Sequence, residues 1–342
     1  MNRAEPPPGP AIAPECPPLE VVAGLLRSAT LAPSMHNTQP WRFGVHRASQ
    51  TIELFADPSR MLRYSDPDGR AVHIGCGAAL FNLRLAIAVA GREAAVRLLP
   101  DGRQPLLLAT VRLAGRHRPG EMETTLHAAI AARHTNREPF SNRPVPPGVL
   151  AELADAAVLE GAVLRFPGHA ETARLLELAS GAERDLLADP AYRAELARWV
   201  GGNRDTDGIP DSALGPRDPM SGTPTREFTP GRHQPPRYAW FEESTQLAVL
   251  YTAGGGPVDW VRAGEALQRV LLTATSRGLS ASPLTQPLET ADAWLVADPQ
   301  AGSGKPQMIL RLGYGLPVGG TPRRAVPEVT QEPGAPPQKA TG

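Results

Sequence analysis

Apolar positions divide the chain into segments of clear period. Leu19, Val22, Ala23, Leu26, Ala29 and Thr30 keep helical spacing. Trp41-Arg42-Phe43-Gly44-Val45 alternates and reads as a strand, and Thr51–Ala56 reads as its neighbour. A polar loop over 57–70 leads to a long apolar helix over 72–90, with Gly91 as its stop. Residues 106–113 form a buried strand. Leu126, Ala129 and Ile130 open a second amphipathic run. Pro146-Pro147 starts a helix that puts Val149, Leu150, Leu153, Ala154 and Ala157 on one face. Stretches 171–187 and 191–200 continue helical, and 247–252 reads as a strand. Trp260, Ala263, Gly264, Leu267, Val270, Leu271 and Ala274 give the clearest helix, ended by Gly278. Residues 280–284 read as a loop and 308–313 as a last core strand.

Between these segments lies one long irregular stretch, 201–238, without apolar period. So long a loop is either functional or disordered. Ile209, Leu214, Met220, Phe228, Tyr238 and Trp240 at its exit suggest a cover over an apolar surface. Residues 1–18 and 325–342 are rich in Pro, Gly and Ala and read as disordered tails. A first half over 19–120 and a second over 121–324, carrying the 201–238 insertion, are expected. The stretch Gly75-Cys76-Gly77-Ala78-Ala79-Leu80-Phe81-Asn82-Leu83 echoes Ala263-Gly264-Glu265-Ala266-Leu267-Gln268-Arg269-Val270-Leu271. The echo fits two related halves packed as a pseudo-dimer; it also fits two Ala-rich helices that merely look alike.

Composition narrows the function classes. The formal net charge of the 342 residues is zero, which steers the protein toward neither nucleic acid nor an acidic membrane. Lys305 and Lys339 are the only lysines, so the positive charge is almost all Arg. Cys16 and Cys76 make no disulfide framework and fit a reducing cytoplasm, with Cys76 read as a small core residue. The N-terminus has no apolar core of the signal-peptide kind, and Asn82 and Arg84 interrupt the apolar run that could otherwise span a membrane. No G-x-S-x-G and no metal-spaced His cluster supports a hydrolase.

Two stretches carry candidate chemistry. In Ala32-Pro33-Ser34-Met35-His36-Asn37-Thr38-Gln39-Pro40-Trp41 the prolines stiffen a helix-to-strand loop that displays hydroxyls and amides. Such a loop suits a flat polar heterocycle, or it is an ordinary turn that satisfies its own backbone. In Arg133-His134-Thr135-Asn136-Arg137, alternation puts two guanidinium forks and a hydroxyl on one side. That set suits a phosphate dianion; a solvated helix end is the bland alternative.

The first stretch resembles the P-S-x-x-N-x-Q-P-W signature of the FMN-dependent nitroreductase family, with Pro33, Ser34, Asn37, Gln39, Pro40 and Trp41 on its positions. His36 and Thr38 give it the form of the Acg-type branch of double-length single chains. Arg133, Thr135 and Arg137 resemble the family's R-R-S-x-R phosphate grip, with Thr for Ser and His134 for the second Arg. Thr321-Pro322-Arg323-Arg324 is similar to its closing basic element. The resemblance implies an α+β nitroreductase-like fold of two fused halves. It also implies FMN as cofactor, with NAD(P)H and a small electron acceptor as partners. By position it marks Pro33, Ser34, Met35, Asn37, Gln39, Arg133, Thr135, Arg137, Arg323 and Arg324 as cofactor-binding. Ser280, Ala281 and Ser282 are placed by the flavin ring. The two signatures are split between the halves, so they can meet only once, which implies one FMN in a monomer acting as a pseudo-dimer. A flavin-sequestering protein closed by a lid over 201–238, and an FMN-dependent dehydrogenase of a specialised substrate, are the other readings.

Overall fold

The computed structural model describes residues 18–220, 226–228, 235–290, 296 and 304–331. Eight α-helices and nine strands appear among them. In chain order α1 is Leu19–Thr30, β1 Trp41–His46, β2 Thr51–Ala56, α2 Arg70–Val89, β3 Arg92–Leu98, β4 Leu107–Arg116, α3 Glu121–Ala132 and α4 Pro147–Val158. Then come β5 Val163–Arg165, α5 His169–Ala188, α6 Pro190–Trp199, β6 Gln246–Thr252, α7 Pro257–Ser276, β7 Ser280–Pro283, β8 Lys305–Gly313, α8 Val326–Val329 and β9 Thr330–Gln331. The architecture is α+β, as expected. One sheet runs β3-β4-β2-β1-β9 and the other β5-β6-β8-β7.

Helices α2 and α7 pack against each other between the two sheets. Both are well begun. The Asp66 carboxylate accepts from the Ala71 and Val72 amides at 2.9 Å, and Asp259 accepts from Gly256 N at 3.3 Å with Pro257 in the first turn. Their crossing is glycine on glycine. A Cβ on Gly77 would lie 2.1 Å from the Val261 carbonyl oxygen, and one on Gly264 2.1 Å from that of Ile74. The echo between the two sequences therefore has a physical cause, although Gly77, not Gly75, is the residue that meets Gly264. Asn82 and Gln268 hydrogen-bond across the pair at 2.7 Å, and Arg84 reaches Glu265 at 2.6 Å. By length and composition α2 could cross a membrane, yet most of it is buried inside this fold. Cys76 is a buried core residue whose thiol donates to the Pro40 carbonyl.

Three sequence readings need correction. Residues 280–284 are not a loop: Ser280–Pro283 is edge strand β7, antiparallel to β8, and its short polar residues hide the strand signal. The C-terminal stretch is structured through Gln331. Its β9 pairs parallel with β1, aligning Phe43 with Thr330, so the last part of the chain completes the first sheet. Strands β3 and β5 escaped the period analysis because each is half-exposed and carries charge on its open face. The readings of 1–18, except Pro18, and of 332–342 lie outside the described residues.

Candidate functional site

Three elements converge beside the central helix α2. The first is the loop from Pro33 to Pro40. His36, Asn37 and Gln39 take φ of 48, 55 and 52°, a left-handed conformation that non-glycine residues adopt only when their surroundings enforce it. Gly75 of α2 lets this loop come close, since a Cβ there would stand 3.3 Å from Ser34 Cβ. Inside the loop, Ser34 Oγ accepts from Gln39 N at 2.9 Å.

The second element follows α3. Arg133 terminates the helix in an extended conformation, and Thr135 and Asn136 run beside Ala281 of β7, with Asn136 N donating to Ala281 O at 3.0 Å. The third is the stretch after β8, whose Arg323 turns back on the loop. Its Nη1 donates to Asn37 Oδ1 at 2.9 Å and to Thr321 Oγ1 at 2.7 Å.

Arg133 is buried and Arg137 and Arg323 are half-buried, and among the described residues none has a carboxylate partner. Arg133 donates to the Leu31 carbonyl at 3.1 Å and Arg137 to that of Ala213 at 2.9 Å. Among the described residues the Nε of Arg133 and the Nε of Arg323 have no hydrogen-bond partner. Burial pushes the Arg133 guanidinium down to about 9, helped by the Arg323 charge; burial, with Arg226 beside it, takes Arg137 to about 10. Burying like charges without counter-charge is expensive, so the arrangement calls for an anion. Thr135 and Thr321 line the same small recess beside these three arginines.

The recess shares lining residues, Arg133, Thr135 and Arg137 among them, with a larger neighbouring cavity of about 120 Å³. Ile74, Leu267, Leu271 and Met308 from the central helices and β8 give it an apolar wall. His36, Ile209, Arg226 and Phe228 line it as well. Arg226 is fixed there: it pairs with both Glu289 oxygens, donates to the Tyr192 hydroxyl at 2.7 Å and to Thr285 Oγ1 at 3.0 Å. Arg137 lies 5.4 Å over the Phe228 ring.

Residues 130–314, more than half of the chain, match the family model described as "Nitroreductase family". The chain belongs to the nitroreductase family. Among its relatives are two proteins of Mycobacterium tuberculosis. "Putative NAD(P)H nitroreductase Rv3131" is 37% identical over 325 residues, covering 93% of each chain. "Putative NAD(P)H nitroreductase acg" is 32% identical over 336 residues, covering 91% of this chain and 95% of that one. Of the solved structures, a nitroreductase from Anabaena variabilis aligns over 87% of this chain and 88% of its own at 11% identity, with a TM-score of 0.49.

In this nitroreductase Pro33, Ser34, Met35, Arg133, Thr135, Arg137 and Ala281 line the main cavity, and Asn37 and Arg323 line the recess. Gln39, Ser280, Ser282 and Arg324 line neither. Gln39 is fully buried and its amide is taken: Nε2 donates to Thr206 O and Oε1 accepts from Arg324 N, each at 2.8 Å. Ser280 Oγ accepts from Asn136 Nδ2 at 3.0 Å. Asn37 likewise gives Nδ2 to the carbonyls of Gly208 and Pro322 at 2.9 and 3.0 Å. The amides expected to meet a heterocycle instead clasp two other stretches of the chain. Of the residues read as a cover, Ile209, Leu214 and Phe228 are buried and Met220, Tyr238 and Trp240 exposed, while 221–225 and 229–234 lie outside the described residues. Sequence reasoning missed Arg226 and His36. An arginine in an aperiodic stretch carries no signal, and His36 was passed over as a spacer within its motif.

Proposed function

We propose that this chain binds one FMN where its two halves meet and transfers a hydride from NAD(P)H to a small electron acceptor. The observation that supports the reading most is the recess of three arginines, one buried and two half-buried, which among the described residues have no carboxylate partner and leave two Nε atoms unpartnered. A phosphate monoester supplies the missing negative charge and the acceptor oxygens. Arg133, Arg137 and Arg323 would hold it, with the Thr135 and Thr321 hydroxyls beside them. The adjoining cavity, walled by Ile74, Leu267, Leu271 and Met308, suits a flat ring and keeps water from it. When bound, FMN supplies the redox chemistry, and the protein places and shields it. Ser34 Oγ is held by Gln39 N, consistent with a site that needs no side-chain nucleophile.

The two recess signatures come from different parts of one chain and meet once, which supports a monomer built as a pseudo-dimer. A second reading, flavin storage with little turnover, draws support from Ile209 and Phe228 on the cavity wall and from Arg226 fixed to Glu289. Protein reconstituted with FMN and mixed anaerobically with NADPH or NADH tests both. One flavin per chain with rapid bleaching is expected. Two per chain would break the split-site argument, absence of binding would sink the flavin reading, and binding without bleaching would favour storage.

A further inference from the structure

Two histidines line the main cavity, His36 and His134, and only His134 also lines the arginine recess. His36 Nε2 has no hydrogen-bond partner among the described residues. His134 is placed differently: it stands among cations. It follows Arg133 directly, where α3 has ended and the chain runs extended. Its imidazole is half-buried and packs against the stretch after β8. A Cβ on Gly320 would stand 2.9 Å from the ring's Cε1 and 3.2 Å from its Nδ1, so glycine there lets the two segments lie this close.

The charges around the ring are of one sign. Arg133 and Arg137 belong to its own segment, and Arg323 comes from the C-terminal stretch. The loop contributes Pro33, Ser34 and Asn37, and the 201–238 stretch contributes Ile209; none of these ionises. No carboxylate lines the recess among the described residues. Without an anion, a proton on His134 would add a fourth positive charge to three. Burial, and then the Arg133 and Arg323 guanidiniums, accordingly lower its pKa and keep it neutral near pH 7. A phosphate dianion changes the balance. It brings negative charge and acceptor oxygens, and an imidazolium beside it gains a charge-assisted hydrogen bond. Whatever raises the ring's affinity for a proton is, by reciprocity, strengthened by that proton.

Resting on the FMN reading above, we propose that the phosphate site is proton-linked through His134: the imidazole takes up a proton from solvent as the phosphate monoester binds, and donates a charge-assisted hydrogen bond to it. The proton leaves again when the ligand does. Affinity is therefore greatest where His134 is charged in the complex, and falls as rising pH strips that proton away. An arginine at this place, as in the R-R-S-x-R pattern, would grip the phosphate at any pH. His134 makes retention of the cofactor depend on pH.

Isothermal titration of the full-length protein with FMN near pH 7, in two buffers of different ionisation enthalpy, counts the protons exchanged. The wild type should take up a substantial fraction of a proton per FMN bound, and none with riboflavin, which has no phosphate. His134→Gln and His134→Arg have no group there that titrates and should lose the uptake. The FMN phosphate, which titrates near 6, is common to all three proteins and cancels in the difference. Between about pH 6.5 and 8 the wild type should lose roughly three- to tenfold in FMN affinity relative to either variant, within the tenfold per pH unit that one linked proton allows. Uptake by the wild type no greater than by His134→Gln, or parallel pH profiles, overturns the proposal. Equal uptake with riboflavin overturns it too, since the titrating contact would then lie away from the phosphate. Absence of FMN binding in the wild type defeats the flavin reading itself, whereas binding without proton uptake defeats this proposal alone.

Discussion

The Pro33–Pro40 loop and the Arg133–Arg137 turn are both polar, both motif-like and both buried, yet they spend their polar atoms differently. In the loop, Asn37 and Gln39 are saturated by protein: Gly208, Pro322 and Arg323 take the one, Thr206 and Arg324 the other. In the turn, Arg133 and Arg137 reach only single backbone carbonyls and carry uncompensated charge. A buried polar group that already has partners positions something; one that lacks them awaits something. The loop is thus a clasp joining the 201–214 stretch to the C-terminal basic element, and the turn is the ligand grip we propose.

The largest expected effect tests the grip. Arg133→Ala and Arg137→Ala should each weaken FMN by about 10- to 100-fold, the range for a charge-assisted hydrogen bond, and leave riboflavin nearly untouched. Titration of both flavins against each variant gives the ratio. Equal losses for the two ligands would mean that the arginines do not see the phosphate, and the contrast with the loop would collapse.

A smaller effect tests the clasp. Asn37→Ala strands the Gly208 carbonyl, takes one of two donors from that of Pro322 and frees Arg323 from one partner. A loss of about 1–3 kcal/mol in unfolding free energy is expected. Hydrogen exchange should also quicken in the stretch around Gly208, whose amide donates to Asn37 O. If stability and exchange stay put while riboflavin affinity falls, Asn37 touches the flavin ring directly and the loop is a grip as well.

How far the sequence could foresee this follows from where each signal lives. The α2–α7 pair was legible because helical period and small residues are local properties. Strand β9 was not: Thr330-Gln331 gains its structure from β1, nearly 290 positions away, and nothing nearby announces it. The arginine turn could be read as candidate chemistry because Arg133, Thr135 and Arg137 alternate, and in the fold all three line one recess. For the loop, the residue types point to hydrogen bonding, and in the fold Asn37 and Gln39 find protein partners. Asn37 and Gln39 can satisfy a heterocycle or a backbone equally well, and only the arrival of Thr206, Gly208 and the Pro322–Arg324 stretch decides between them. His36 illustrates the reverse, a residue whose importance comes from what does not reach it.

The smallest effect concerns that histidine and the folded state alone. Its pKa is lowered well below the ordinary value of 6.5, first by burial and then by Arg226 and Arg137. In the unfolded chain the imidazole takes up a proton near 6.5; in the fold it resists until lower pH. The unfolded state therefore binds more protons in that window, and stability falls as pH drops below about 6.5 toward the folded pKa. Above 6.5 both states hold it neutral and it adds no slope. His36→Gln removes the group that titrates, so its melting curve should depend less on pH between 7 and 5 than the wild type's. The difference should be on the order of a few °C for a chain of this size. The comparison is made without FMN, whose phosphate titrates near 6. Taking the difference between variant and wild type cancels the buried carboxylates of Asp66, Glu183 and Glu265, which both proteins share. Parallel curves would show that water or a protein group partners His36 at rest, and the loop would then hold no unmatched group for a ligand to find.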